Sequence, residues 1–275
     1  MTRIALFQST TGIDPAANAQ ALVAAVEEAA AGGAEILFTP EMSGLLDRDS
    51  TRAAKNLSTA EQDRVLKAAR EAAAKNRIWL HLGSLAVLVE NGKVANRSFV
   101  IDREGQIRAT YDKLHLFDVD LPTGESWRES NVYSEGQGVV LVNGTPVGKL
   151  GLTICYDLRF PGLFARLAEA GTDLIAVPAA FTVPTGEAHW HVLLRARAIE
   201  AGLFVVAAAQ VGEHEDGRQT FGHSLVVDPW GDILLDMGEQ VGVGFAEIDL
   251  KRIIDVRSRI PALRHRRPIP NAVTL

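Results

Sequence analysis

What most constrains this chain is an alternation. Apolar runs of strand length are followed repeatedly by longer alanine-rich or amphipathic runs of helix length. "RIALFQ" (3–8) reads as a strand. "DPAANAQALVAAVEEAAAGG" reads as a helix, with Asp14 as N-cap, Pro15 in the first turn and Gly32 or Gly33 as the stop. "AEILFTPE" is a buried strand, and "STAEQDRVLKAAREAAAKN" is a second helix for which Ser58 and Glu61 fit a capping box. "RIWLHLGSL" and "ANRSFVID" are strands with Asn91-Gly92 between them as a hairpin signal, and another turn falls at "REGQ". A loop rich in Pro, Gly and Ser covers 121–138. Strands resume around "NGTPVG". The chain then turns at Cys155 into a helix through "FARLAEAG", followed by the strand "DLIAVPAA" and the helix "GEAHWHVLLRARAIEAG". "LFVVAAAQ" and "HSLVVDPWGDILLDM" are strands, the latter folded at "PWGD", and "DLKRIIDVRSRI" is a late helix. Proline spacing in "PALRHRRPIPNAVTL" forbids a continuous helix in the tail. No linker or composition shift divides the chain. The pattern predicts an α/β fold in one domain, 1–275, with a large mixed sheet and helices outside it. Two segments, "AAGGAEILFTPE" and "EAGTDLIAVPAA", share the order helix end, glycine, acidic residue, apolar strand, proline; the match is too short to be a repeat.

Composition narrows the function. Of 275 residues, 47% are hydrophobic and 23% charged, which fits a packed core rather than disorder. The net charge of −6 argues against a nucleic-acid partner, which favours a basic face. The most apolar run, "GLFVVAAAQV", is far shorter than a membrane span, and the N-terminal residues lack a secretory pattern, so a cytoplasmic location without membrane contact is expected. A single cysteine rules out an internal disulfide and an all-cysteine zinc site.

That cysteine, Cys155 in "GLTICYDLRFPG", is either a buried small hydrophobe or a nucleophile. Its place at a strand-to-helix turn is the geometry that exposes nucleophiles in elbow-type hydrolases. Pro161 suits the first turn of the following helix, whose positive end would favour a thiolate. In open α/β sheets, ligand groups gather beyond the carboxyl ends of strands. Glu41 after "ILFTP" and Lys113 after "IRATYD" fall at such places. Alone, each is ordinarily a solvated surface charge. Together with Cys155 they supply what an acyl transfer needs: a proton acceptor with its pKa raised by burial, a cation for the oxyanion, and a thiol.

The segments "FTPEMS", "YDKLHLFDVDLP" and "GLTICYDLRFPGLFARLAEAGTDLIAVPAAF" resemble the nitrilase superfamily of carbon–nitrogen hydrolases over almost the whole length. The resemblance implies a four-layer αββα sandwich, a homodimer or larger homo-oligomer, and cofactor-free, metal-free hydrolysis of a small-molecule amide through a cysteine thioester. It also implies that Glu129 in "WRESNVY" is a second active-site glutamate, and that the backbone N–H of Tyr156 joins Lys113 at the oxyanion. "GEAHWHVLLRARAIEAGLFVVAAAQVGEH", "FGHSLVVDPWG" and "HRRP" are most similar to the Nit1-like branch, which implies activity on deaminated glutathione, giving 2-oxoglutarate and cysteinylglycine. His191 departs from that branch, standing where relatives usually have glutamate. A dicarboxylate-type acyl group calls for a cationic clamp, for which Arg159 and Arg128 are candidates. His115, Phe181 and Thr182 are further candidate substrate contacts; His223 and the other histidines are expected to be hydrogen-bonded core groups. The alternatives are an ω-amidase of the Nit2-like branch, another small-amide or nitrile hydrolase, a papain-like Cys/His enzyme using His189, a metal enzyme using His189 and His191, and a catalytically inactive scaffold. Two residues apart on a helix, His189 and His191 point to different faces, which weakens the chelate.

Overall fold

The computed structural model describes residues 1–120, 124 and 126–274, Asn91 without its side chain. Leu121, Pro122, Thr123 and Glu125 of the expected 121–138 loop, including the end of "FDVDLP", lie outside the described residues. Two six-stranded mixed sheets form the centre. The first runs β16 (Gly242–Ile248), β1 (Thr2–Gln8), β2 (Ile36–Phe38), β3 (Trp79–Leu88), β4 (Val94–Ile101), β5 (Ile107–Asp112). The second runs β15 (Ile233–Asp236), β14 (Leu225–Val227), β11 (Phe204–Ala207), β10 (Leu174–Ala176), β9 (Gly148–Leu152), β8 (Leu141–Thr145). The central strands β1–β2–β3 and β9–β10–β11 are parallel. Two hairpins, β6 (Asp118–Asp120) with β7 (Ser126–Arg128) and β12 (Val211–Glu213) with β13 (Gln219–Phe221), stand apart from the sheets. The segment expected to be all loop therefore contains a paired strand.

Side-chain alternation along the strands builds the layers. Ile4, Leu6, Ile36 and Phe38 join one core with Leu150, Leu152, Leu174 and Val206 of the second sheet. Ala5 and Leu37, on the opposite face, join Leu22 and Val26 of α1 (Pro15–Ala31) and Leu66 and Ala69 of α3 (Arg64–Asn76). On the far side of the second sheet, α4 (Pro161–Glu169) and α5 (Val183–Ala201) bury Phe164, Trp190 and Leu194. This is the αββα sandwich. Each fully buried Leu, Ile or Phe contributes about 1.5–3 kcal/mol. The short α2 (Ser50–Ala54) and α6 (Lys251–Arg259), which buries Ile253 and Val256, complete the helices.

The ends of α1 follow its local signals: the Asp14 carboxylate accepts from the Ala16 N–H, Pro15 opens the helix, and Gly32 closes it. The start of α3 does not. Its cap is Asp63, which accepts from the Leu66 N–H at 2.8 Å, not Ser58. The Ser58 backbone is taken by the sheet, bridging Val87 and accepting from the Leu88 N–H at 2.8 Å. A long-range pairing thus outcompetes the capping box.

One buried polar group links the core to pH. His81 on β3 is fully buried, its Nε2 bonded only to Ser98 Oγ at 3.0 Å, and its Nδ1 has no partner among the described residues. Burial pushes its pKa down to about 3. The folded protein therefore refuses a proton that the unfolded chain accepts below about 6.5. The stability is present in full above that pH and is lost progressively as pH falls toward 3. From pH 6.5 to pH 5 the expected loss is about 2 kcal/mol from this residue. Urea unfolding at both pH values checks it: His81→Leu should flatten the difference by about that amount, and an unaltered slope contradicts the assignment.

Candidate active site

Each of the four candidate residues sits just beyond a strand. Glu41 lies three residues past β2, Lys113 immediately follows β5, Cys155 is three past β9, and Glu129 immediately follows β7. β3 has to pass close to the Glu41 segment. A Cβ on Gly83 would collide with the carbonyl oxygens of Thr39 and Pro40, so only glycine fits there. Cys155 itself adopts a positive φ of +48°, and Met42, beside Glu41, one of +58°. Such left-handed backbone at a non-glycine residue costs of order 1–3 kcal/mol and is sustained by surrounding structure. Here the Cys155 N–H donates to Pro178 O at 2.9 Å.

A buried aspartate ties the lysine segment to the cysteine turn. Asp157 opposes the segment that carries Lys113 and is completely enclosed. It accepts from the Tyr111 hydroxyl at 2.7 Å, the Ile154 N–H at 2.9 Å and the His115 N–H at 3.1 Å, and its Oδ1 lies 2.6 Å from His115 Nδ1. Tyr111 and His115 flank Lys113 on both sides. Two residues past Cys155, Asp157 thereby fixes both ends of the lysine-bearing segment.

The Lys113 ammonium is buried between two carboxylates. It donates to Glu41 Oε1 at 3.0 Å and to Glu129 at 2.8 and 3.1 Å. Asn96 Nδ2 also reaches both, at 2.9 Å to Glu41 and 3.2 Å to Glu129. The Ala180 N–H holds the other Glu41 oxygen at 3.0 Å, and the Phe117 N–H holds Glu129 at 2.7 Å. Gln210 Nε2 fixes the Glu41 backbone carbonyl at 2.9 Å. Burial pulls the Lys113 pKa down, but the charges of Glu129 and Glu41, with that of Cys155, outweigh it and hold it well above the ordinary lysine value. For Cys155, burial and then the Glu41 charge raise the thiol well above its ordinary value, and only Lys113 and the Ala180 N–H oppose them.

The helix after Cys155 begins at Pro161, where the sequence put it, but a 3-10 turn, Cys155–Arg159, stands between them, and burial together with the Glu41 charge raises the thiol instead of favouring a thiolate. Both effects favour the neutral thiol over the thiolate.

The four residues face a cavity of about 250 Å³. Tyr156, Arg159, Arg128, Phe181 and Thr182 line it as well. Arg128 lines the wall with its guanidinium engaged: it pairs with Asp120 at 2.9 and 3.0 Å and donates to the carbonyls of Val119 and Trp127. Arg159 has no carboxylate partner among the described residues; its guanidinium lies over the rings of Phe181 and Tyr156, and Nη1 is 3.3 Å from His189 Nδ1. His115 does not line the cavity. Its bond to Asp157 and its stack on Phe160, with ring centroids 3.6 Å apart, turn it inward as a support. His223 also differs from expectation. Among the described residues His81 and His214 are the enclosed histidines, whereas His223 is only partly buried and bonded to Asp236 at 2.9 Å. His189 and His191 face different partners, Arg159 and Asp236. Sequence reasoning missed Asn96, Tyr133 and the Trp127 wall, where the guanidinium groups of Arg48 and Arg218 lie 5.6 and 5.1 Å from the indole.

A sequence model of the carbon-nitrogen hydrolase family matches residues 3–258. The nitrilase and fragile histidine triad fusion protein NitFhit of Caenorhabditis elegans is 41% identical over 266 residues, covering 96% of this chain and 60% of that protein. The chain thus spans about three fifths of that relative. Its crystal structure superposes with a TM-score of 0.89 at 40% identity, over 97% of this chain and 65% of that one. Human deaminated glutathione amidase is 39% identical over 269 residues, covering 96% of this chain and 82% of that protein. A mutant of the amidase from Nesterenkonia sp. AN1, with an acetamide moiety added covalently at its active-site cysteine, superposes with a TM-score of 0.82 at 27% identity, over 97% of this chain and 94% of that one.

Proposed function

The chain belongs to the carbon–nitrogen hydrolase family, and on that premise we propose that it is a cysteine-dependent amidase acting on a small molecule, with deaminated glutathione as substrate. The observation that carries the reading is the convergence of Glu41, Lys113 and Cys155 on one partly open cavity. Glu41 takes the thiol proton as the sulfur attacks the amide carbonyl. The oxyanion forms against Lys113 and the Tyr156 N–H. Glu41 returns the proton to the nitrogen as the C–N bond breaks, leaving an acyl thioester on Cys155. Glu41 then deprotonates a water that attacks the thioester, and the thiol is regenerated as the acid departs. Glu129 keeps Lys113 in place. Deaminated glutathione would yield 2-oxoglutarate and cysteinylglycine.

The whole chain acts as one domain in this reading, in the cytoplasm. Exposed Val192 and Ile199 on α5 and Ile254 on α6 supply apolar surface for a homodimer or larger homo-oligomer. The ω-amidase alternative has the relative named probable hydrolase nit2 from Schizosaccharomyces pombe behind it, 37% identical over 243 residues. Side-by-side kcat/KM values on deaminated glutathione, 2-oxoglutaramate and simple amides and nitriles separate the readings. A preference for 2-oxoglutaramate would move the assignment to the ω-amidase, and no hydrolysis of any of them would overturn it altogether.

Arg159 is the clamp for the acyl carboxylate in this scheme, because it has the uncommitted guanidinium on the wall. A charge-assisted hydrogen bond contributes about 1.5–3 kcal/mol. Arg159→Ala is therefore expected to raise KM about tenfold or more for a carboxylate-bearing substrate, with kcat little changed and simple amides unaffected. An unaltered KM removes Arg159 from the binding role.

A further inference from the structure

Away from the cavity opening, three potential metal ligands converge from separate elements. His191 projects from α5, His223 stands just before β14, and Asp236 closes β15. His191 Nε2 lies 2.9 Å from Asp236 Oδ2, and His223 Nδ1 lies 2.9 Å from Asp236 Oδ1. All three ligand atoms fall within 4.8 Å of one another. Their side chains are 25–31% exposed, so an ion can enter without unfolding anything. Phe221 stacks on His223 with centroids 4.5 Å apart and meets His191 edge-on at 6.1 Å, which limits how either ring turns.

We propose that His191, His223 and Asp236 form a binding site for a divalent, nitrogen-preferring cation, best matched by zinc. Two imidazoles and one carboxylate are a common zinc donor set, with a water completing the tetrahedron. Bond lengths near 2.0–2.2 Å place tetrahedral ligand atoms about 3.4 Å apart. The two rings now meet different oxygens of Asp236, so one His–Asp pair opens by about 0.5 Å and the carboxylate turns to bring the same oxygen within reach of the other ring, the ligand atoms starting within 4.8 Å of one another. In the metal-free protein each ring donates its N–H to the aspartate. On binding, each neutral ring carries its proton on the other nitrogen and gives its lone pair to the ion, and no proton is lost overall. A protonated ring releases one.

The site clamps α5 to the β14–β15 hairpin. It also holds the segment just after β13, whose Gln219 and Thr220 line the cavity wall. The site therefore braces part of the wall without touching Cys155. Its presence depends on His191.

The test uses the full chain, free of any affinity tag, in a Cys155→Ala background so that no thiol competes for the ion. Zinc titration by calorimetry should show one ion per chain, and cobalt should give the absorption of a tetrahedral site. His191→Ala, His223→Asn and Asp236→Asn should each weaken zinc about 100-fold or more, because loss of an outer-shell partner alone costs 10–100-fold. Asparagine at 223 suits the left-handed backbone there, φ +54°, so that variant keeps the turn. Thermal melting of the metal-free variants verifies that they fold. No saturable binding means a hydrogen-bonded His–Asp–His cluster only, and overturns the proposal. Binding that survives all three substitutions overturns it too, because the ion then sits elsewhere.

Discussion

Replacing Cys155 by alanine should stop turnover, by about 10⁴-fold or more, while leaving the protein folded. In the proposed mechanism the sulfur forms the acyl intermediate, while Glu41 and Lys113 supply proton and charge but no bond to the acyl carbon. Removing it leaves the carboxylate–ammonium–carboxylate array intact, because Lys113 keeps its bonds to Glu41 and Glu129 and the Ala180 N–H keeps Glu41. Alanine also adopts the φ of +48° at this position with no more strain than cysteine. A loss of about 1 kcal/mol, and a Tm drop of about 3 °C, is the most that one sulfur in a partly open cavity should cause. Intact-mass spectrometry after rapid quench should find the acyl adduct in the wild type and none in the variant. Undiminished amide hydrolysis by Cys155→Ala would remove the thioester from the mechanism.

What the sequence made legible was whatever depended on neighbours in the chain. The ends of α1 were readable because Asp14, Pro15 and Gly32 act on the helix they adjoin. The start of α3 was not, because Ser58 satisfies a local capping pattern while β3 claims its carbonyl from thirty residues away. The same division runs through the site. Glu41, Lys113 and Cys155 each follow an apolar strand, and polar residues just past strand ends stand out in an α/β pattern. Glu129 follows a three-residue hairpin strand with no such pattern, and only the family resemblance singled it out. Asn96 is invisible for another reason. It sits inside β4 and reaches the carboxylates because the pairing with β5 leads Lys113 past it, the Lys113 N–H donating to Asn96 O at 3.0 Å. Strand register is a long-range property. The faint likeness between "AEILFTPE" and "DLIAVPAA" gains a physical meaning in the same way. β2 and β10 occupy the middle of their respective sheets, and the segments beyond them meet: the Ala180 N–H binds Glu41, and Pro178 O binds the Cys155 N–H. His191, His223 and Asp236 come from a helix, a turn and a strand up to 45 residues apart in the chain, so no local spacing announces them.

Replacing Glu41 by glutamine separates the two things that carboxylate does. As proton acceptor and donor it contributes about 10²–10⁴-fold to rate, and glutamine can do neither, so kcat/KM should fall by that range. The amide keeps the size, and its one oxygen can still accept from Lys113 and Asn96, whereas the NH2 in place of Oε2 gives up the bond from the Ala180 N–H; the cavity should keep its shape and substrate should still bind. The charge, however, is gone, and the charge acts on the thiol. After burial, Glu41 is the largest cause of the raised Cys155 pKa. Lys113 and the Ala180 N–H, which favour the thiolate, remain. Cys155 should therefore ionise at lower pH in Glu41→Gln than in the wild type, and thiolate absorbance followed from pH 6 to 10 should rise earlier in the variant. The sign is decisive. A group that merely packed against the sulfur would lose activity on substitution without moving that titration. A group that accepts the proton should lower the activity and the thiol pKa together. If the wild-type thiol is already ionised at neutral pH, Glu41 has no proton to take, and the nucleophile must be generated in some other way.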